Sequence, residues 1–201
     1  MMLFLTEMPK EAREKILYAA LSLFTDKGFK NTSVLEIVEI ARVSKTTFYQ
    51  NFPAKEELMA VLFEEVAAEI LEEVKKVIDL EARTAYKAYA GIHRYIEICF
   101  TDLKVANLML VQSVSVALSV DKVRNGAHRR FANLIFETVQ SLLPTTVSEV
   151  EMRVVSQAMV GAINEVIVQN YSEAEAAAID YKFLARLLNR IVVGAFVHLA
   201  N

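Results

Sequence analysis

The chain has 201 residues, 54% of them hydrophobic, with five Gly, three Pro and no Trp. It is long enough for one large or two small domains, poor in turns and rich in helix formers. Five glycines leave little for phosphate-cradling loops, and the sequence holds no nucleophile elbow, P-loop, dinucleotide glycine motif or HExxH, so neither an enzyme nor a cofactor is expected. The net charge of −3 argues at first sight against a nucleic-acid partner, but the distribution of charge matters more than its sum.

In chain order, the apolar run Met1-Met2-Leu3-Phe4-Leu5 lacks a basic flank and is too short for a signal segment. Helix 1 is expected from about Pro9 to Lys27. Ile16, Leu17, Ala20, Leu21 and Phe24 form its apolar stripe, and Gly28 forms its C-cap. Thr32 or Ser33 N-caps helix 2, with Glu36 placed to close a capping box. Arg42-Val43 forms a turn and Ser44 caps helix 3, which runs to about Asn51. Helix 4 begins near Lys55 and continues through Leu58, Leu62, Val66, Ile70 and Val74.

The remainder is helical by period: about 82–100, 103–118, Asp121 to Leu143 before Pro144, 149–170 and 173–199. Asn125-Gly126 could delay the start of the helix near 121. Ser148 with Glu151, and Ser172 with Glu175, read as capping boxes for the last two helices. No useful β-alternation occurs. The expected fold is all-α with about nine helices. The segment 103–120 carries Lys104, Asn107 and Gln112 and falls short of a membrane span, so no membrane partner is expected. One cysteine, Cys99, suits a reducing cytoplasm and reads as a buried inert thiol.

Residues Gly28 to Lys55 outline a helix-turn-helix DNA reader. A helix fits the major groove and reads base edges with its N-terminal residues. In helix 3 those are Lys45, Thr46 and Thr47, followed by Tyr49 and Gln50. Lys donates to guanine acceptors, Gln pairs with adenine, and Thr offers a hydroxyl and a methyl. The Tyr49 phenol suits a phosphate oxygen. Phe48 and Phe52 lie four apart and face inward. Lys55 opens helix 4, where its charge and free backbone N–H groups could both meet a phosphate, and Thr32 and Ser33 could do the same at helix 2. Lys30, Arg42, Lys45 and Lys55 outnumber Glu36 and Glu39, a modest local surplus that suffices only if two copies act together.

Ala19-Ala20-Leu21-Ser22-Leu23-Phe24, Lys27-Gly28-Phe29, Thr32-Ser33-Val34 with Ile37, and Ala41 with Val43-Ser44-Lys45 stand in unbroken spacing with Phe48-Tyr49 and Phe52-Pro53-Ala54-Lys55-Glu56-Glu57-Leu58. Over residues 12–58 the chain resembles the N-terminal domain of the TetR family of transcriptional repressors. The resemblance implies a dimeric, ligand-responsive repressor on a palindromic operator. Residues 9–54 would be the DNA-binding domain and 55–201 an effector-binding and dimerisation domain, with helix 4 as connector. Ser44 to Gln50 would form the recognition helix, with Tyr49 and Lys55 on phosphates. The chain departs from the family at Arg42, where Gly is usual, and at Thr46, where Gly or Ala is frequent. A positive φ at Arg42 would be strained, while its guanidinium adds a possible phosphate contact.

The last two helices carry wide apolar stripes that either bury in their own core or, as the family implies, pair with a second copy as a four-helix bundle. Val160, Gly161 and Ile167 are the interface candidates of the first, and Leu184, Leu188, Ile191 and Ala195 of the second. A pocket for a small apolar or amphipathic effector is expected among Tyr86, Tyr89, His93, Cys99 and Phe100, with Met109, Gln112, His128, Phe131 and Asn164. Each of these is individually also an ordinary core residue. His93 and His128 lack a second ligand at i+4, so no metal site is expected. The alternative function is a helical protein-interaction module without specific DNA binding.

Overall fold

The computed structural model describes residues 7–140, 147–171 and 180–199. Among them the chain is all-α: α1 Ala12–Lys27, α2 Val34–Ala41, α3 Lys45–Asn51, α4 Lys55–Leu80, α5 Lys87–Thr101, α6 Leu103–Asn107, α7 Leu118–Gln140, α8 Glu149–Tyr171 and α9 Tyr181–Leu199. A short 3-10 turn, Thr84–Tyr86, precedes α5, and a π-turn, Leu108–Gln112, follows α6.

The described residues fall into two compact units. The first combines the described part of Met1–Glu69 with Asp102–Gly126; the second combines Ile70–Thr101 with the described part of Ala127–Asn201. In the first, α1 packs on α2, α3, α6 and the π-turn. Its core holds Ile16, Leu17 and Phe24 of α1, Ile37 of α2, Phe48 of α3 and Leu58 and Leu62 of α4, all fully buried. In the second, α5 and α8 both pack on α9, with Ile96, Ile167 and Leu188 in the core. Gly91 lets α5 approach α4, because a Cβ there would lie 2.7 Å from Ile78 Cδ1.

Several boundaries differ from the sequence reading for local reasons. α1 begins at Ala12, not Pro9. The helix expected over 103–118 is broken. Asp102 caps α6 by accepting from Lys104 N at 3.2 Å and Val105 N at 3.3 Å, and the chain then loosens into the π-turn. The Ser113 hydroxyl donates to Met109 O at 2.9 Å, and Ser115 takes a left-handed φ of 55°. Serine hydroxyls that compete for backbone partners end helices in this way. α7 starts at Leu118 and runs unbroken through Asn125-Gly126. α9 begins at Tyr181, where Asp180 Oδ1 accepts from the Lys182 and Phe183 amides at 2.9 and 3.0 Å. The Ser172/Glu175 box lies outside the described residues, as do positions 141–143.

Candidate functional site

The head of the first unit is built from caps. Ser33 accepts from Glu36 N at 3.3 Å, and Glu36 returns a carboxylate oxygen to Ser33 N at 2.8 Å, completing the capping box. Lys27 binds the other oxygen of Glu36. That hydrogen bond, with those from Ser33, holds the Glu36 carboxyl down at about 2.

The α1–α2 corner is closed by two of the residues expected to meet phosphate. Thr32 is buried, and its hydroxyl lies 2.9 Å from Gly28 O and 3.3 Å from Leu23 O. Lys55 Nζ donates to Phe29 O at 2.8 Å and Thr32 O at 2.7 Å, and sits 4.2 Å from the Phe29 ring centroid. Burial lowers the Lys55 ammonium below its usual range. Two of its three donors therefore tie the start of α4 to the corner. Gln112, expected in the pocket, instead accepts from Phe29 N at 3.3 Å in this same unit. Lys104 reaches Ser22 Oγ at 3.1 Å.

The turn between α2 and α3 ends α2 in a Schellman motif. Val43 N donates to Val38 O at 3.0 Å and Arg42 N to Glu39 O at 3.2 Å, with Arg42 in the left-handed region at φ 54°, ψ 47°. That conformation costs a non-glycine residue roughly 1–2 kcal/mol. Ser44 then caps α3 by accepting from Thr47 N at 3.0 Å, and its hydroxyl meets that of Thr47 at 2.9 Å.

Phe48 and Phe52 anchor α3 from beneath, with ring centroids 6.1 Å apart and both rings buried. Arg42, Ser44, Lys45, Thr46, Tyr49 and Gln50 are left exposed, Tyr49 by 54%, with its ring edge-on to Phe48. One short helix thus presents a cation, hydroxyls, an amide and a phenol on a surface braced by aromatic packing. These groups match the donors and acceptors of base edges and phosphates.

Residues 16–62, the stretch that contains this surface, match the family model described as bacterial regulatory proteins, tetR family. Over this stretch the chain is similar to the TetR family.

Two curated relatives from Bacillus subtilis (strain 168) agree. The HTH-type transcriptional regulator YuxN is 46% identical over 50 residues, covering 25% of this chain and 17% of that protein. The regulator YhgD is 32% identical over 87 residues, covering 43% of this chain and 44% of that protein. The matched stretches thus span less than half the length of these relatives. Among solved structures, the fatty acid degradation regulator FadR from Bacillus halodurans superposes with a TM-score of 0.79 at 16% identity, covering 94% of this chain and 97% of that one. FadR from Bacillus subtilis, solved in complex with stearoyl-CoA, superposes with a TM-score of 0.78 at 19% identity, covering 90% and 97%. At those identities the likeness is one of fold.

The second unit holds a slot lined by α4, α5, α7, α8 and α9. Counted to its open mouth it contains about 600 Å³ of non-protein space. Of the ten residues expected in an effector pocket, Phe131 and Asn164 line it, together with Tyr95, which stacks on Phe131 at 5.5 Å. Tyr89, His93 and Tyr181 form a separate ring cluster with centroids 5.6 and 5.9 Å apart. Tyr86 is exposed beneath Arg83, and Phe100 and His128 are half-buried away from the slot. Cys99 is buried, its thiol pushed up to about 12 by loss of solvent, and does not line the slot. Met109 is buried in the first unit. Val74, Ile78, Ala88 and Ile92 complete one wall, and their aliphatic side chains carry no local signal that separates a cavity wall from a filled core.

An apolar face stays open on the same unit. Val150, Val154 and Gly161 on α8, and Phe183, Leu187, Ile191 and Val197 on α9, are exposed at helical spacing. Of the interface candidates, Gly161 and Ile191 lie on this face. Val160, Ile167 and Leu188 are instead buried in the protomer's own core, and Leu184 and Ala195 are half-buried. Among the described residues no helix is long and apolar enough to cross a membrane, and no three His, Cys, Asp or Glu side chains cluster to hold a metal.

Proposed function

We propose that this chain is a ligand-responsive DNA-binding transcriptional regulator, a repressor acting in the cytoplasm as a homodimer on a palindromic operator, and that it has no enzymatic activity. The carrying observation is the exposed Lys45–Gln50 surface, capped by Ser44 and braced by Phe48 and Phe52, inside the stretch that matches the family model. Residues 9–54 form the DNA-reading domain and 55–201 the effector and dimerisation domain. Lys45, Thr46, Thr47 and Gln50 read base edges. Arg42, Ser44 and Tyr49 contact the backbone, and Ser33 with the α4 N-terminus lies beside it. Thr32 and Lys55 serve by shaping the corner, Lys55 also lending its charge.

Two copies meet through the exposed stripes of α8 and α9 as a four-helix bundle, since an apolar face of that extent calls for a partner. The pairing sets the two recognition helices about 34–36 Å apart, one turn of B-DNA. A small apolar or amphipathic effector enters the slot of the second unit and releases DNA by binding the non-operator state more tightly. The solved neighbour with stearoyl-CoA is consistent with such a ligand.

The test is a gel shift with DNA flanking the protein's own coding region, at two salt concentrations. Lys45→Ala should lose about 1–3 kcal/mol of operator affinity, and Tyr49→Ala should also weaken retention, with the dimer intact in both. Unchanged binding in both variants would remove α3 from the interface and favour a helical interaction module.

A further inference from the structure

The slot in the second unit differs from a filled core in where its hydrogen-bonding capacity lies. Its polar side chains are Tyr95, Thr138 and Asn164, and no charged residue lines it. The Thr138 hydroxyl is already bound to Leu134 O of its own helix at 2.6 Å. The Tyr95 hydroxyl donates to Asn164 Oδ1 at 2.7 Å and also meets the Cys99 thiol. Among the described residues, the two amide hydrogens of Asn164 have no protein partner. The walls therefore hold one neutral donor group, oriented by Tyr95, amid aliphatic and aromatic surface.

Size and charge narrow the occupant further. Ala88 to Tyr95 on α5 and Phe131 to Thr138 on α7 each run eight residues along the slot, about 10 Å at helical rise. At the other end a polar recess shares Ile78, Leu134 and Thr138 with the slot and is bordered by Lys75, Asp79, Thr84, Lys87 and Glu137. Its charges are balanced in sign, and Lys75 is paired to Asp79 at 2.8 Å. An ionised group inside the slot would lose its water with no counter-charge to meet, a large penalty. A neutral oxygen would find a ready donor.

We infer that the slot takes a neutral, linear, mostly apolar ligand bearing one hydrogen-bond-accepting oxygen, such as an alkyl ketone or ester, and that the Asn164 amide, held by Tyr95, selects it. This rests on the reading of the second unit as the effector domain.

The test uses the full chain, with 2-decanone and decanoate as probes in calorimetric titrations at pH 7. The native chain should bind 2-decanone at least about tenfold more tightly than decanoate. Asn164→Leu should weaken 2-decanone about fivefold, the worth of one neutral hydrogen bond. Should that variant fail to fold, the ketone-to-carboxylate ratio of the native chain still decides. Equal or tighter binding of decanoate, weakened by Lys87→Ala, would place a charged head at the polar recess and overturn the inference. So would ketone binding that Asn164→Leu leaves untouched. Failure of both probes to bind while operator retention is intact would overturn the slot's chemistry and leave the DNA reader standing. Loss of operator retention in the native chain would sink the regulator itself.

Discussion

The α2–α3 turn and the slot of the second unit are built by opposite means. At the turn, neighbours in sequence hold each other: Ser33 with Glu36, Val38 with Val43, Ser44 with Thr47, Phe48 with Phe52. At the slot, Val74, Tyr95, Phe131, Asn164 and Val192 come from five helices spread over more than half the chain. A surface made by local hydrogen bonds leaves its polar groups where the sequence spacing puts them. A cavity made by packing is decided by which side chains fail to fill the space between helices.

The contrast can be broken most strongly at its two supports. Phe48→Ala removes a fully buried ring beneath α3. It should destabilise the first unit by about 3–5 kcal/mol, measured by denaturant unfolding, and abolish operator retention. Val154→Glu with Ile191→Glu puts charges on the exposed stripe of the second unit and should yield a folded monomer by light scattering. Its operator affinity should drop about 10²-fold or more, because two weakly basic heads no longer act together. A dimer that survives both glutamates would remove that face from self-association.

Subtler changes separate geometry from chemistry within the turn. Arg42→Gly relieves a left-handed non-glycine and should stabilise the fold by about 1 kcal/mol. It should also lower operator affinity and reduce the salt slope by about one ion if the guanidinium meets a phosphate. Greater stability with no change in salt dependence would assign Arg42 no contact with DNA.

The smallest effect is at Glu36, whose carboxyl is held at about 2 in the folded chain against an ordinary 4.5. A depressed carboxyl contributes stability above its unfolded value and loses it as pH falls through the folded one. Glu36→Gln should therefore lower the melting temperature modestly at pH 7, with the gap to the native chain closing between pH 4.5 and 2. A gap that stays constant over that range would mean that the carboxylate charge is not what holds the box.

Much of the head was legible because its determinants are short-range. The Ser33/Glu36 box, the Ser44 cap and the inward Phe48 and Phe52 follow from spacing alone, while the left-handed backbone at Arg42 was flagged by the resemblance, which has Gly there. The inward roles of Thr32 and Lys55 were not legible, since Lys55 acts on carbonyls 26 and 23 residues away. Nor was Gln112, which reaches an amide 83 residues away. Helix count and class were set by periodicity and the scarcity of Gly and Pro.

The sequence by itself determined an all-α chain and the capped helix α3, because helices and caps are decided by residues three or four positions apart. The tertiary structure alone decided that 102–126 joins the first unit, that Val160, Ile167 and Leu188 are buried in the second unit's core, and that Tyr95 and Asn164 meet in the wall of the slot. An apolar stripe records that a helix face is buried or paired. Against what it is buried depends on the helices that meet it, and those meet only in the folded chain.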